Sequence, residues 1–340
     1  AVIDSGVNPD ISDLLGSVTT GPDYTGVTTS AASKDWGVHG TWMASLIAGH
    51  GHDEGLSGVI GIAPEARILS IRVIPDRGDP HYSKYEREPE TEIQQSLADG
   101  IRYAVTHGAR VISMSIGYSS PSGIVREELQ QAYDRGVVVI ASAGNSGGPA
   151  VSGRSGGAPE SFPANYPGVI SVGAVNSRGA VAGFSSDNLS VQVAAPGVSV
   201  PAQGRDGQYW SVSGTSPACA LVAGVAALIK SRYPGLAPDL VASALTSTTT
   251  DRPASGYDSQ VGFGVVDAAA ALAKAGELAG ARPVKAGLAA TARYRGLLPQ
   301  EPVPPRGSGP LVLFALLALT SLALSAAAGT LLVVLRRANR

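Results

Sequence analysis

Ser213-Gly214-Thr215-Ser216-Pro217-Ala218, followed by the apolar stretch from Leu221 to Ile229, places a serine on the first turn of a buried helix. A helix start offers free N–H groups and the positive end of the dipole, which would stabilise negative charge developing near Ser216. Taken alone, the segment reads first as an ordinary N-cap with proline just inside the helix. Asp4 follows the short apolar run Ala1-Val2-Ile3 and precedes Ser5-Gly6, so it stands at a strand end, where turn aspartates are common. His39 lies between Gly37 and Gly40 at the head of an apolar helical pattern. Asn145 lies in Ala141-Ser142-Ala143-Gly144-Asn145-Ser146-Gly147, just past a run of valines. By itself it is a turn asparagine.

Together these residues can do more. A serine nucleophile needs a base to take its proton and an acid to orient that base. Asp4, His39 and Ser216 supply those types in the order Asp, His, Ser, each at a strand end or helix start. An amide such as Asn145, beyond a strand end, can donate to a tetrahedral oxyanion together with the Ser216 N–H. The serine motif ends in Ala218, so it is not the Gly-x-Ser-x-Gly elbow.

The elements that must position them alternate. Runs rich in β-branched residues at 68–74, 111–116, 137–141, 169–175 and 191–195 predict strands. Helical patterns fall at 41–49, 91–107, 124–135, 215–232, 238–246 and 267–278. Near-continuous apolar strands separated by helices predict an α/β, three-layer fold with a mostly parallel sheet covered on both faces. Catalytic groups in such sheets gather at the strand C-terminal ends. The polar stretches 77–90 and 146–160 predict long surface loops.

The 340 residues suit one large domain with extra segments at an end. A net charge of −2 gives no bulk attraction to nucleic acid or anionic lipid. Cys219 is the single cysteine, among small apolar neighbours, which excludes an intrachain disulfide and predicts a buried structural thiol. His50, His52, Asp53 and Glu54 are metal-binding types, but a solvated loop accounts for them more simply, and no metal is expected. The chain starts without methionine, as a processed or partial form would. Three residues before Asp4 are fewer than the usual ~5–6 of a strand, so Asp4 is expected to be held loosely and stability to fall below that of a longer form. The expected organisation is a domain over 1–279, a Pro/Ala/Gly-rich linker over 280–310, a transmembrane helix over 311–335 and a basic tail over 336–340. The uncharged run 311–335 would reach ~37 Å as a helix, enough for a ~30 Å hydrocarbon core. Arg336, Arg337 and Arg340 favour a cytoplasmic C-terminus, although Arg293, Arg295 and Arg306 on the other side weaken that inference.

Over roughly 1–275 the chain resembles the subtilisin-family serine proteases. The resemblance rests on Val2-Ile3-Asp4-Ser5-Gly6, His39-Gly40-Thr41, Gly58-Val59-Ile60-Gly61-Ile62-Ala63-Pro64, Ser113-Met114-Ser115-Ile116-Gly117 and Ala143-Gly144-Asn145. It continues through Phe162-Pro163-Ala164-Asn165-Tyr166-Pro167, Val172-Gly173-Ala174, Ala195-Pro196-Gly197 and Ser213-Gly214-Thr215-Ser216. It implies that Asp4 orients His39, that His39 is the base, Ser216 the nucleophile and Asn145 the oxyanion donor. It implies also that Ser115, Ile116 and Gly117 pair with extended substrate backbone, with Gly144 beside the pocket for the residue before the cut. The chain departs from the family at Pro217, where members carry Met or Phe, and in lacking an Asn-rich calcium loop, which leaves calcium open. No cofactor is implied for the chemistry.

The Pro-rich linker and apolar C-terminal run resemble the mycosins, membrane-anchored proteases associated with type VII secretion. That resemblance implies an extracytoplasmic catalytic domain on the cell membrane, a polypeptide substrate and association with a secretion-system membrane complex. The rival functions are a scaffold that stabilises such a complex without essential proteolysis, and an esterase or transferase using the same acyl chemistry.

Overall fold

The computed structural model describes residues 1–53, 57–147 and 158–280, all within one compact unit. Seven strands form a single sheet: β1 (Val2–Asp4), β2 (Val18–Asp23), β5 (Ile68–Arg72), β6 (Val111–Met114), β7 (Val138–Ser142), β8 (Val169–Val175) and β9 (Val191–Pro196). Their order is β2-β5-β1-β6-β7-β8-β9, and every neighbouring pair is parallel. Two antiparallel hairpins lie outside it: β3 (His50–His52) with β4 (Ser57–Ile60), and β10 (Val200–Gln203) with β11 (Tyr209–Val212).

Strand periodicity splits the core in two, because successive side chains point to opposite faces. Val2, Val138, Ile140, Ile170 and Val172 pack with helices α1 (Val38–Ala48), α5 (Thr215–Arg232), α6 (Pro238–Ser247) and α7 (Ala268–Gly280). Ile3, Ile112, Val139 and Ala141 pack with α3 (Glu90–Thr106) and α4 (Gly123–Asp134), which follow the one-turn α2 (Tyr82–Tyr85). The expected three layers are present. All seven residues of β8 are buried, as a strand covered on both faces requires. In α5, 13 of 18 residues are buried, so it is a core helix without the amphipathic stripe of a surface helix.

Three local expectations need correction. The run 111–116 leaves the sheet after Met114, where its pairings with Ile3 and Ala141 end, so Ser115, Ile116 and Gly117 lie beyond the strand. The 77–90 stretch is no simple surface loop: it contains α2 and the buried Asp79, which accepts from Arg72 Nη2 at 2.9 Å. Arg72, itself buried, also donates to Asp23 at 2.6 Å and to Thr25 at 3.0 Å. The 50–54 segment is likewise ordered in its described part. His52 Nδ1 meets the buried Asp13 at 2.7 Å, and Asp13 also accepts the Val59 N–H at 2.7 Å, which ties the β3–β4 hairpin down. Glu54 lies outside the described residues, as do 148–157 of the expected 146–160 surface loop. So do the linker beyond Gly280, the apolar run 311–335 and the basic tail. Among the described residues no helix is long and apolar enough to cross a membrane.

Cys219 is fully buried on α5, its Sγ 3.8 Å from Ser113 Oγ and from the Met114 carbonyl oxygen. Burial pushes its thiol up to about 11. An alkylating reagent at pH 8 is therefore expected to leave the folded protein unlabelled and to label one site after denaturation, read by mass spectrometry.

Candidate active site

β1 ends in the middle of the sheet, and its last residue, Asp4, is buried. Short as the strand is, it is in register, with Asp4 opposite Arg72 on β5. Asp4 Oδ1 accepts the Ser5 N–H at 2.7 Å and lies 2.7 Å from His39 Nδ1. A carboxylate only accepts, so Nδ1 carries the proton and Nε2 is left with the lone pair. Asp4 Oδ2 is buried without a hydrogen-bond partner among the described residues. Arg72 Nε donates to the Ser5 carbonyl at 3.1 Å and so holds the backbone that follows Asp4.

His39 is the second residue of α1, and its position is set by a carboxylate the sequence did not single out. The buried Asp76, beyond β5, accepts the Val38 N–H at 2.8 Å and the His39 N–H at 2.9 Å, one on each oxygen. It caps a helix that has no cap from its own Gly37. The helix start is then sewn to the Asp4 turn: Gly40 donates to Ser5 Oγ at 3.1 Å, and Asn8 donates to Thr41 Oγ1 at 2.9 Å. A Cβ at position 40 would lie 2.2 Å from the Gly6 carbonyl oxygen, which is why His39 is followed by glycine. Burial, the largest influence on the imidazole, disfavours its charged form. The Asp4 charge and hydrogen bond, with the Asp76 charge, outweigh it and raise the His39 pKa above the ordinary value.

Ser216 is the second residue of α5 and is buried, with 8% of its surface exposed. The turn before it is anchored by the Gly214 N–H, which donates to the Gly197 carbonyl at 2.8 Å. Ser115 Oγ donates to the Ser216 carbonyl at 3.3 Å, so the segment leaving β6 touches the serine's own backbone. Asn145 follows β7 through Gly144, which sits at φ 102°, a conformation glycine tolerates best. Its Oδ1 accepts from the Thr215 N–H at 2.9 Å and from Thr215 Oγ1 at 3.0 Å. Thr215 Oγ1 in turn accepts the Gly144 N–H at 3.2 Å. With Oδ1 committed, the amide can offer only its Nδ2 hydrogens elsewhere. Thr215 is thus the residue that aims Asn145, a role its place next to the serine does not announce.

Gly117 and Gly144 both abut Ser161. A Cβ on Gly117 would come within 2.5 Å of Ser161 Oγ, and one on Gly144 within 3.5 Å of Ser161 Cβ. The two glycines predicted to border the substrate therefore share one wall, and Ser161 completes it. Backbone 115–117 continues past the end of β6 without entering a strand ladder, as an edge that can take an extended chain. Among the described residues no group of three or more His, Cys, Asp or Glu converges as a metal cluster would.

The subtilase family model, peptidase S8, matches residues 1–264. Subtilisin DY of Bacillus licheniformis is 36% identical over 270 residues, covering 79% of this chain and 89% of that protein. Subtilisin E of Bacillus subtilis is 35% identical over 250 residues, and the matched region spans only 60% of its length. Among solved structures, MycP1 from Mycobacterium smegmatis superposes with a TM-score of 0.65 at 30% identity, covering 80% of this chain and 78% of that one. Another MycP1 structure, described as a serine protease and an essential component of the type VII (ESX-1) secretion system, gives a TM-score of 0.62 at 34% identity, covering 80% and 81%. The chain is a subtilisin-like serine protease and belongs to the subtilase family.

Proposed function

We propose that this protein is a membrane-anchored, extracytoplasmic serine endopeptidase that works through Asp4, His39 and Ser216 and serves a type VII secretion system. The observation that carries the catalytic part is the 2.7 Å Asp4–His39 pair at the end of the central strand, with Asn145 keyed to the residue beside Ser216. In this mechanism Nε2 of His39 takes the Ser216 proton as Oγ attacks the substrate carbonyl, and later gives it to the leaving amine. Asp4 holds the tautomer and stabilises the imidazolium. Asn145 Nδ2 and the Ser216 N–H hold the oxyanion at the start of α5, where the dipole adds to them. Segment Ser115-Ile116-Gly117 pairs with the substrate backbone before the cut, and Gly144 borders the pocket there. No cofactor takes part.

The location rests on the 25 uncharged, mostly apolar residues of 311–335 after a Pro-rich linker, and on likeness to MycP1. Comparing Ser216→Ala with deletion of the peptidase domain in a secreting cell tests it. Loss of secretion in both makes proteolysis essential; secretion that survives Ser216→Ala but not deletion makes the domain a scaffold. Direct assay of peptide cleavage separates a peptidase from an esterase.

Asp76 gives the mechanism a signature. Only neutral His39 can act as a base, and the Asp76 charge favours the protonated form. Asp76→Asn is therefore expected to move the acid limb of the kcat/KM profile to lower pH, read from initial rates with one peptide substrate. An unmoved limb would remove Asp76 from the electrostatics of His39.

A further inference from the structure

An aromatic row leads away from His39. Trp42, one turn further along α1, sets its ring edge-on to the imidazole with centroids 6.4 Å apart. Trp210 on β11 follows at 6.1 Å from Trp42. Trp210 is 48% exposed, yet it is not loose: its Nε1 donates to Asp206 Oδ1 at 3.2 Å. The hairpin tip that carries Asp206 is itself held, because Arg205 donates to the Ser33 and Ala31 carbonyls at 2.7 Å each. Tyr209, the next residue back, is 49% exposed. An ordered, half-exposed tryptophan two ring contacts from the imidazole is a surface prepared for an apolar ligand.

The chemistry says which ligand. The acyl half of a substrate lies with the groups that hold its carbonyl and backbone, Asn145, Gly144 and the 115–117 segment, all from the ends of β6 and β7. The amine that leaves receives its proton from His39, so the residues after the cleaved bond must pass beside the imidazole. What flanks the imidazole on its own helix is Trp42, and beyond it Trp210 on the hairpin leading into Ser216.

Resting on the peptidase function proposed above, we infer that Trp42 and Trp210 bind the leaving half of the substrate and select polypeptides with a large apolar or aromatic residue in the first two positions after the cut. A ring packed against such a pair discriminates against glycine by about tenfold.

The test uses the full chain and two kinds of substrate. One is a set of internally quenched peptides with a common acyl half and Phe, Leu, Gly or Asp after the cut; the other is the methyl ester of the same acyl half, whose leaving group carries no ring. The wild type is expected to favour Phe and Leu over Gly by about tenfold in kcat/KM. Trp210→Ala should bring that ratio near one and lower the Phe-peptide-to-ester ratio, and Trp210→Phe should restore both. A flat leaving-side profile in the wild type, a ratio unmoved by Trp210→Ala, or equal losses on Phe peptide and ester would overturn the inference alone. Failure of the wild type to cleave any peptide would overturn the peptidase function with it.

Discussion

Ser216→Ala is expected to lower kcat by on the order of 10⁶ while leaving the fold intact. That is the loss known for removing the nucleophile of subtilisin itself. The fold should survive because the bond that involves Ser216 in the resting structure uses its carbonyl, accepting from Ser115 Oγ, and alanine keeps that group. His39→Ala should cost about as much, since an unactivated serine hydroxyl is a weak nucleophile at neutral pH. The double variant should be scarcely worse than either single one, because both changes disable the same step. Single-turnover rates on one peptide measure this cycle. Multiplying losses in the double variant would mean that Ser216 and His39 act in separate events. Rates above the uncatalysed reaction should persist in all three variants, since binding and the oxyanion site remain.

Asn145→Leu should lower kcat by about 10²–10³ with little change in KM, again the range known from subtilisin. The size of that loss depends on Thr215. The Asn145 carbonyl oxygen is held by both the N–H and the hydroxyl of Thr215, so the amide is pre-aimed before substrate arrives and little reorganisation is needed in the transition state. Leucine fills the space but cannot donate. Thr215→Val keeps the shape and the backbone bond but loses the hydroxyl, so Asn145 gains freedom to turn. About a tenfold fall in kcat is expected there, well short of the Asn145 effect. A larger loss from Thr215→Val than from Asn145→Leu would show that Thr215 acts by another route. Steady-state kinetics on the same peptide separates kcat from KM in both variants.

The parts of this molecule that announced themselves were those whose signal is local. Strands 68–72, 138–142 and 169–175 are mostly buried segments containing several β-branched residues, and α5 begins at Thr215 as its Gly-Thr-Ser-Pro start suggests. Asp4, His39 and Asn145 stood out because each closes or opens such an element. What stayed hidden depends on distant partners. Asp76 is one polar residue in a polar stretch, and nothing near it in sequence says that both its oxygens cap a helix starting 38 positions earlier. Nothing near Arg72 or Asp79 in sequence pairs them, yet they meet at 2.9 Å in the interior, where each offsets part of the cost of burying the other. The β10–β11 hairpin has only four residues a side, too few for alternation to show, and three of the four in β11 are exposed. Ser161 could not be tied to Gly117 and Gly144 by spacing, because the three meet only where β6, β7 and the segment before Phe162 converge.

Labelling by a fluorophosphonate probe reads out directly whether the Asp4–His39 pair activates Ser216. The full-length protein, treated at neutral pH and mapped by peptide mass spectrometry, should carry one adduct, on Ser216. Labelling should slow by orders of magnitude in His39→Ala. No adduct on Ser216, or an adduct formed as fast without the imidazole as with it, would mean that the Asp4–His39 pair does not activate this serine.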